Sequence, residues 1–266
     1  MSIEAETQEP RTRASLATDL RALGLEPGMI VILHSSLSSL GWVCGGAVAV
    51  VQALLDVLTP AGTLVVPTQT TVNSDPEYWT NPPVPESWWP IIRANLPAFD
   101  PRLTPSEHMG VIAELVRTWP GSVRSDHPAV SFAAVGRDAE WLMAEHALDF
   151  GLSETSPLRR IADCGGYILL LGVGHDSNTS LHLAQYRVPA CAALLQRGAA
   201  RFENGQRVWR EYQDIDLTTE DFPEIGAAFE ALHPFRIGQV GSATAKLLSQ
   251  PAMVAFAEAW LRRKYE

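Results

Sequence analysis

The sequence predicts an α/β fold in which helices cover both faces of a sheet. Short runs of purely apolar residues alternate with amphipathic stretches, and 46% of the 266 residues are hydrophobic. A strand that is apolar along its whole length fits the centre of such a sheet, because a half-exposed strand alternates polar and apolar residues. The charged fraction of 19% excludes a disordered chain. No shift in composition divides the chain, so we predict a single domain over residues 1–266.

The first part of the chain carries a strand–loop–helix–strand unit. The first helix ends before Gly24, a residue suited to the position after a helix, and Gly45-Gly46 open the second helix. Such a unit implies a sheet covered on both faces. The predicted elements are helix 15–23, strand 29–33, helix 47–58 and strand 63–66.

Residues 71–105 break this pattern with eight prolines and four tryptophan or tyrosine residues. A loop of this length inside a compact domain is usually functional or disordered, and this one is too aromatic for a flexible linker. Two interpretations stay open: a lid or wall of a binding site, or a segment that packs on the domain's own surface.

The rest of the chain continues the alternation and ends in a hairpin with helices over 200–266. Ser106 is predicted to cap a helix that points Met109 inward, and Asn204-Gly205 is a strong hairpin turn. The other predicted elements are strand 129–135, helix 138–146, strand 167–171, helix 180–187, a hairpin over 202–212, and helices 222–232 and 242–264.

Charge and cysteine content narrow the class of protein. Thirty acidic and twenty basic residues give a net charge of −10, which argues against nucleic-acid binding and suits a cationic substrate. Three cysteines without C-x-x-C spacing argue against a disulfide scaffold or structural zinc and favour a reducing compartment. The polar N-terminus lacks the apolar core of a signal peptide, and no stretch is long enough to span a bilayer. We therefore expect a cytoplasmic protein without a membrane partner.

One candidate site is the loop His34-Ser35-Ser36-Leu37, which leads to Gly45-Gly46. Serine hydroxyls and free amides at the start of a helix bind anions, because the helix dipole is positive there. The loop lacks the lysine of a P-loop and the G-x-G-x-x-G spacing. Serines and glycines also build ordinary tight turns, so a purely structural loop is the alternative.

A second candidate is the segment from Gly172 to His182, where a buried strand ends in glycines before a polar turn and a helix. The positive helix end predicts a neutral His182, which suits a general base, and Gln185 lies on the same helical face. A core histidine bonded to a backbone carbonyl is the alternative. His127, His175 and Asp176 lack the spacing of a zinc protease, which argues against a metal. The missing G-x-S-x-G motif argues against a hydrolase.

Acidic residues near aromatics form a third feature. Carboxylates beside aromatic rings suit a sugar-like polyamine, because each charge-assisted hydrogen bond is worth about 1.5–3 kcal/mol. A solvated acidic rim is the alternative. The residues are Asp75, Glu77 and Glu86 in the aromatic loop and Asp214, Asp216, Glu220, Asp221 and Glu224 after the hairpin.

In combination, these segments resemble the aminoglycoside 3-N-acetyltransferase family over nearly the whole chain. The resemblance implies a three-layer α/β/α fold with a mixed central sheet, distinct from the GNAT fold. It also implies that acetyl-coenzyme A acetylates the 3-amino group of a 2-deoxystreptamine aminoglycoside. The stretches that carry it are His34-Ser35-Ser36-Leu37 with Gly45-Gly46 and Pro67-Thr68, Thr104-Pro105-Ser106 to Met109-Gly110, Arg124-Ser125 with His127-Pro128 and Ser131, Leu171 to Ala184, and Phe235 to Gly241.

The resemblance also assigns residues to roles. His182 would take the proton of the attacking amine in a ternary complex, and His34 would join it in the catalytic set. No covalent acyl-enzyme and no metal are expected, and the protein would be a monomer or a homodimer. The coenzyme set is Ser35, Ser36, Leu37, Thr104, Ser106, Met109, Gly110 and Arg124. The aminoglycoside set is Asp75, Trp79, Asp176, Asp214 and Glu224.

Position 185 departs from the family pattern, which reads His-x-Ala-Glu where this chain ends in Gln185. A carboxylate there would stabilise the imidazolium, as the aspartate does in a serine-protease triad. Three explanations are open: a slow or specialised enzyme, another carboxylate such as Asp176 in its place, or an introduced inactivating change. Two alternative functions also stay open: acetylation of another small amine, and binding of drug or coenzyme without turnover.

Overall fold

The computed structural model describes residue 7, residues 9–70 and residues 72–266. Most of the predicted polar N-terminus and Thr71, the first residue of the predicted aromatic loop, lie outside the described residues. Helices span Arg13–Leu23 (α1), Gly46–Leu58 (α2), Trp89–Asn95 (α3), Gly110–Arg117 (α4), Ala139–Met143 (α5), Pro157–Asp163 (α6), Ser180–Tyr186 (α7), Phe222–Leu232 (α8) and Gln250–Tyr265 (α9). Strands span Ile30–Ser35 (β1), Thr63–Pro67 (β2), Val123–Arg124 (β3), Phe132–Gly136 (β4), Tyr167–Leu171 (β5), Leu194–Glu203 (β6), Gln206–Ile215 (β7), Arg236–Val240 (β8) and Ala243–Ser249 (β9).

A mixed sheet with the strand order β3-β4-β2-β1-β5-β9-β8 forms the centre of the molecule. Strand β1 runs parallel to both β2 and β5, and the outer strands pair antiparallel. Strands β6 and β7 form a separate two-stranded ribbon. Because the carboxyl ends of β1, β2 and β5 lie at one edge, the loops that follow them meet there.

Alternate residues of β1 face opposite helical layers. Val31 and Leu33 pack into an apolar cluster with α1, α2 and α4, whereas Ile32 packs with α5 to α9 on the other face. This arrangement confirms the predicted three-layer α/β/α fold with helices on both faces of a mixed sheet. The same alternation directs His34 toward the layer of α7 and α8, and Ser35 toward that of α2 and α4.

Several predicted elements are confirmed within a few residues. Strand β5 and helix α8 match their predicted bounds, and Gly24 ends α1 in the left-handed conformation expected of it, at φ +100°. The hairpin turn at Asn204-Gly205 is also confirmed, since both residues have positive φ. Its strands extend further than the predicted 202–212. Helix α6 was not predicted.

The predicted helix 242–264 is wrong in its first third. Residues Ala243–Ser249 form β9, which pairs antiparallel with β5, and β8 pairs with its other edge. Ala243, Ala245 and Leu247 are buried and alternate with the more exposed Thr244 and Lys246, but Leu248 is buried too, and so short a pattern does not separate a strand from a helix by periodicity. Pairing with β5 decides the conformation.

The prediction that Ser106 caps a helix is also wrong. Helix α4 begins at Gly110, and the Ser106 hydroxyl donates a hydrogen bond of 2.7 Å to Oε2 of Glu114 instead. Residues 106–109 therefore precede the helix and are not its first turn.

The aromatic loop packs against the β6–β7 ribbon. Its described part, 72–105, contains two 3₁₀ turns and the short helix α3. The Tyr78 hydroxyl donates to the carbonyl of Gln196 at 2.6 Å, and the amide of Phe99 donates to Ala200 at 2.9 Å. Phe99 is fully buried, so this segment packs as the second interpretation expects.

Candidate active site

A cavity of about 230 Å³ lies at the edge where β1, β2 and β5 end. Residues from both helical layers line it, so it spans the end of the sheet. Its lining consists of Leu33, His34, Ser35, Pro67, Gln69, His108, Met109, Ala113, Val173, Asp176, Ser177, Thr179, His182, Thr219 and Phe222. Helix α7 and the loop before it, both predicted from the Gly172–His182 segment, supply its acidic residue and the candidate base.

The amide of Gln185 determines which nitrogen of His182 carries the proton. Its nitrogen donates to the Thr218 carbonyl at 2.8 Å, so its oxygen faces Nδ1 of His182 at 2.7 Å. An amide oxygen only accepts, so Nδ1 carries the hydrogen and Nε2 carries the lone pair. In the described part of the chain Nε2 has no hydrogen-bond partner.

His182 is held neutral by burial. Burial lowers its pKa to about 4, although the hydrogen bond to Gln185 acts in the opposite direction. The sequence predicted a neutral ring but attributed it to the helix dipole. The side chain of Phe222 covers the imidazole, with ring centroids 4.8 Å apart. The ring is therefore available as a base throughout the physiological range.

His34 is a second buried imidazole at the same cavity. Burial, followed by electrostatic repulsion from His182, lowers its pKa to about 3. Its Nε2 has no hydrogen-bond partner among the described residues. An unpaired buried nitrogen is costly, so this atom is suited to a ligand's hydrogen bond.

Only two of the predicted coenzyme residues, Ser35 and Met109, line the cavity. The others lie nearby: the Ser36 amide donates to the Leu171 carbonyl, and the Thr104 hydroxyl accepts from the Asp100 amide. Leu37 packs against the apolar layer, Ser106 is bound to Glu114, and Gly110 begins α4 with φ +83°.

Arg124, also predicted to bind coenzyme, instead uses the hydrogen-bond donors of its guanidinium on groups of the protein. It donates to the carbonyl of Thr68 at 2.8 Å, to the Ser131 hydroxyl at 3.0 Å and to the Thr104 carbonyl. It also stacks on the ring of Phe99, 4.9 Å from its centroid. These contacts tie β3 to the end of β2 and to the aromatic loop.

The carboxylates predicted to bind the aminoglycoside differ in their contacts: some bond to other side chains of the protein, and one lines the cavity. Asp75 forms a two-pronged pair with Arg93 at 2.7 and 2.9 Å, and Asp214 accepts from the Tyr186 hydroxyl. Asp176 is the predicted acid that lines the cavity, but it bonds to neither nitrogen of His182. Glu224 is exposed in the first turn of α8, and the Trp79 indole donates to Ser74. None of the described residues 72–105 lines the cavity.

Sequence reasoning missed several residues of this site. His108 lines the cavity with a left-handed backbone, φ +58°, which residues other than glycine seldom adopt. Thr218 orients Gln185 through its carbonyl, and Thr219 and Phe222 close one wall. Phe222 was predicted as the start of a helix, but no local signal connects it to His182.

A larger cleft, of about 1030 Å³, lies on the other side of α7. Its lining includes Gln185 but neither His182 nor His34. Its arginines Arg159, Arg187 and Arg262 all form ion pairs with carboxylates. Because the candidate base faces the smaller cavity, we assign the chemistry there.

No group of three or more His, Cys, Asp and Glu within the described residues could hold a metal ion. Among the helices described, none has the length and apolarity that a membrane crossing requires.

Acidification is expected to destabilise the fold through the buried histidines. Burial lowers the pKa of His34 to about 3 and those of His146 and His182 to about 4, below the ordinary value of 6.5. Below pH 6.5 the unfolded chain binds protons that the folded chain excludes. The contribution of these rings to the free energy of unfolding is therefore fully present above pH 6.5. Between pH 6.5 and pH 4 the free energy of unfolding falls by about 1.4 kcal/mol per pH unit for each ring.

Urea unfolding between pH 7.5 and 4.5 measures this loss. A midpoint that is independent of pH over this range would contradict the assignment.

Comparison with known proteins places the chain in a family. A sequence model described as aminoglycoside 3-N-acetyltransferase matches residues 32–262. The SPbeta prophage-derived aminoglycoside N(3')-acetyltransferase-like protein YokD of Bacillus subtilis (strain 168) is 50% identical over 255 residues, or 96% of this chain and 93% of that protein. The crystal structure of YokD superposes with a TM-score of 0.96, covering 97% of this chain and 96% of that one at 49% identity.

Two ligand-bound structures are also similar. AAC-IIIb in a binary complex with CoASH has a TM-score of 0.88 at 31% identity, covering 97% of this chain and 98% of that one. AAC-VIa bound to sisomicin has a TM-score of 0.88 at 29% identity, covering 97% of this chain and 99% of that one. On the family match and the full-length identity, the chain belongs to the aminoglycoside 3-N-acetyltransferase family.

Proposed function

We propose that this chain transfers the acetyl group of acetyl-coenzyme A to the 3-amino group of a 2-deoxystreptamine aminoglycoside. The observation that carries the proposal is the lone pair on Nε2 of His182, held in one tautomer by Gln185 and lying at the cavity beside Ser35 and Met109. Relatives named aminoglycoside N(3)-acetyltransferase, and structures with CoASH and with sisomicin, support the two substrates.

The residues at the sheet edge fit a thioester donor. Ser35 and Met109 line the cavity on the side of α2 and α4, and between the two sides His34, on the face of α7 and α8, keeps an unpaired buried nitrogen. Acetyl-coenzyme A supplies the acetyl thioester when bound. Residues of α7 and α8 form the opposite side, so the acceptor would approach from the side of Asp176 and Thr219.

His182 acts as the general base in this scheme. The acceptor nitrogen forms a bond to the acetyl carbon, its proton moves to Nε2 of His182, and the carbon–sulfur bond breaks to release the thiolate. Gln185 keeps Nδ1 protonated, so that Nε2 accepts. The amide supplies no negative charge, so the imidazolium that forms is less stabilised than it would be beside a carboxylate.

A mass-spectrometric assay of kanamycin- and gentamicin-type substrates with acetyl-coenzyme A tests the proposal. We expect one acetyl group on the drug, with release of free thiol, and fragmentation should place it on the 2-deoxystreptamine ring. The parent and Gln185→Glu are compared, because a slow parent could escape detection. No acetylated product from either protein would refute the proposed activity.

The pairing of acidic residues favours a second candidate, acetylation of a smaller and less charged amine. Arg93 neutralises Asp75, and the Tyr186 hydroxyl engages Asp214, which leaves Asp176 as the carboxylate that lines the cavity. One carboxylate attracts a polycation less strongly than several do. Turnover of small amines together with inactivity on every aminoglycoside, even in Gln185→Glu, would select this candidate.

A further inference from the structure

Three titratable side chains meet next to the cavity but do not line it. Nε2 of His175 lies 2.7 Å from Oε1 of Glu230, and the ammonium of Lys246 binds the same oxygen. Burial lowers the pKa of His175, so a neutral imidazole donates this hydrogen bond at physiological pH. The His175 side chain is 5% exposed, and those of Glu230 and Lys246 are about one-fifth exposed.

Each of these residues comes from a different element of the site. His175 begins the turn after β5, which contributes Asp176 and Thr179 to the cavity. Glu230 belongs to α8, whose first residue, Phe222, covers the ring of His182. Lys246 lies on β9, the antiparallel neighbour of β5 in the sheet. The turn after β5 and helix α8 are the two acceptor-side walls of the cavity. The contacts therefore join these two walls to each other and to the central sheet.

Gly226 allows the close packing of α8 against His175. A Cβ atom at this position would lie 2.2 Å from Cδ2 and from Cγ of the imidazole, closer than any real contact. The backbone of the helix thus rests directly on the ring. Any larger residue would have to push the helix and the turn apart.

We propose that His175, Glu230 and Lys246 form a positioning network that sets the distance between the two acceptor-side walls and thereby determines acceptor affinity. This inference rests on the proposed acetyl transfer for its kinetic consequence. The residues act through Asp176, Thr179 and Phe222 and do not touch the reacting atoms. Among the described residues, the three side chains of the network bond to one another and not to Ser35 or Met109 on the opposite wall, so coenzyme affinity should change little.

The variant Gly226→Ala, with Ala227→Gly as its control, distinguishes a change in the position of the acceptor-side walls from a change in the stability of helix α8. Alanine favours a helix over glycine, so Gly226→Ala would stabilise α8 if it acted through helix propensity alone. We expect instead that KM for the acceptor rises about tenfold, while KM for acetyl-coenzyme A stays within about twofold of the parent value. Ala227 is exposed on the same helix, and Ala227→Gly should leave both constants unchanged.

Hydrogen exchange gives a readout that needs no turnover. Glu230→Gln keeps an acceptor for His175 but removes the charge that holds Lys246, so both 173–179 and 222–230 should exchange faster than in the parent. Glu203→Gln, which breaks the exposed pair with Arg210 on the ribbon, should not alter these segments.

The outcomes distinguish this inference from the proposed function. An acceptor KM within twofold of the parent in Gly226→Ala, or unchanged exchange in both Gly226→Ala and Glu230→Gln, would overturn the network. A parent without acetyl transfer to any amine would refute the function, and the exchange experiment would then decide the network by itself.

Discussion

Replacing His182 with alanine is expected to lower kcat/KM by about 10²- to 10⁴-fold, the usual contribution of a positioned general base. The ring has a free lone pair on Nε2, and its Nδ1–H is held by Gln185 at 2.7 Å. Alanine removes the imidazole that we propose takes the proton of the acceptor amine. Initial rates of acetyl transfer, measured with both substrates varied, give the loss in kcat and in KM separately.

The matched control is His233→Ala, which removes an exposed imidazole far along the chain. It should keep the parent rate, and both variants should bind the coenzyme with the affinity of the parent. Turnover by His182→Ala within threefold of the parent would refute its role as the base. Equal antibiotic protection by His182→Ala and the parent would instead favour binding without turnover.

Replacing Gln185 with glutamate is expected to raise kcat by about tenfold or more, with little change in substrate affinity. A carboxylate 2.7 Å from Nδ1 would stabilise the imidazolium formed in the transition state, and in serine proteases the corresponding charge is worth about 10⁴ in kcat. The gain should be smaller here, because one carboxylate oxygen would face the Thr218 carbonyl, where the Gln185 amide now donates at 2.8 Å. The same contact should lower Tm.

Saturation kinetics of the parent, Gln185→Glu and Gln185→Ala test this account. Alanine removes the acceptor that holds the tautomer, so its kcat should fall. If kcat changes in neither variant, Gln185 has no part in positioning His182. A rise of kcat in Gln185→Glu would favour an impaired site over a site in which another carboxylate replaces the glutamate, since among the described residues it is Gln185, and not Asp176, that bonds to the ring.

Elements with strong local signals were predicted closely. Strand β5 is apolar over its whole length, and Asn204-Gly205 is a turn that few other dipeptides form as readily. The segment 243–249 was predicted as helix because short apolar patterns suit both structures. Only its pairing with β5 and β8 makes it a strand.

The candidate site divides in the same way. Its location after β1 and β5, the candidate base His182 and the partner Gln185 follow from motifs that are continuous in sequence. Its charges do not, since Asp75 is neutralised by Arg93 on a later helix and Asp214 accepts a hydrogen bond from the hydroxyl of Tyr186. Arg124 likewise donates its hydrogen bonds to Thr68, Thr104 and Ser131. A pattern of residue types cannot identify such partners.

By itself, the sequence determined the layered α/β architecture, the family and the position of His182, because periodicity, turns and short motifs act over a few residues. The tertiary structure alone decided which nitrogen of His182 is free, how far burial lowers the pKa of this candidate base and which carboxylate lines the cavity. These properties depend on burial and on contacts such as Gln185 with Thr218. Such contacts form only when distant parts of the chain come together.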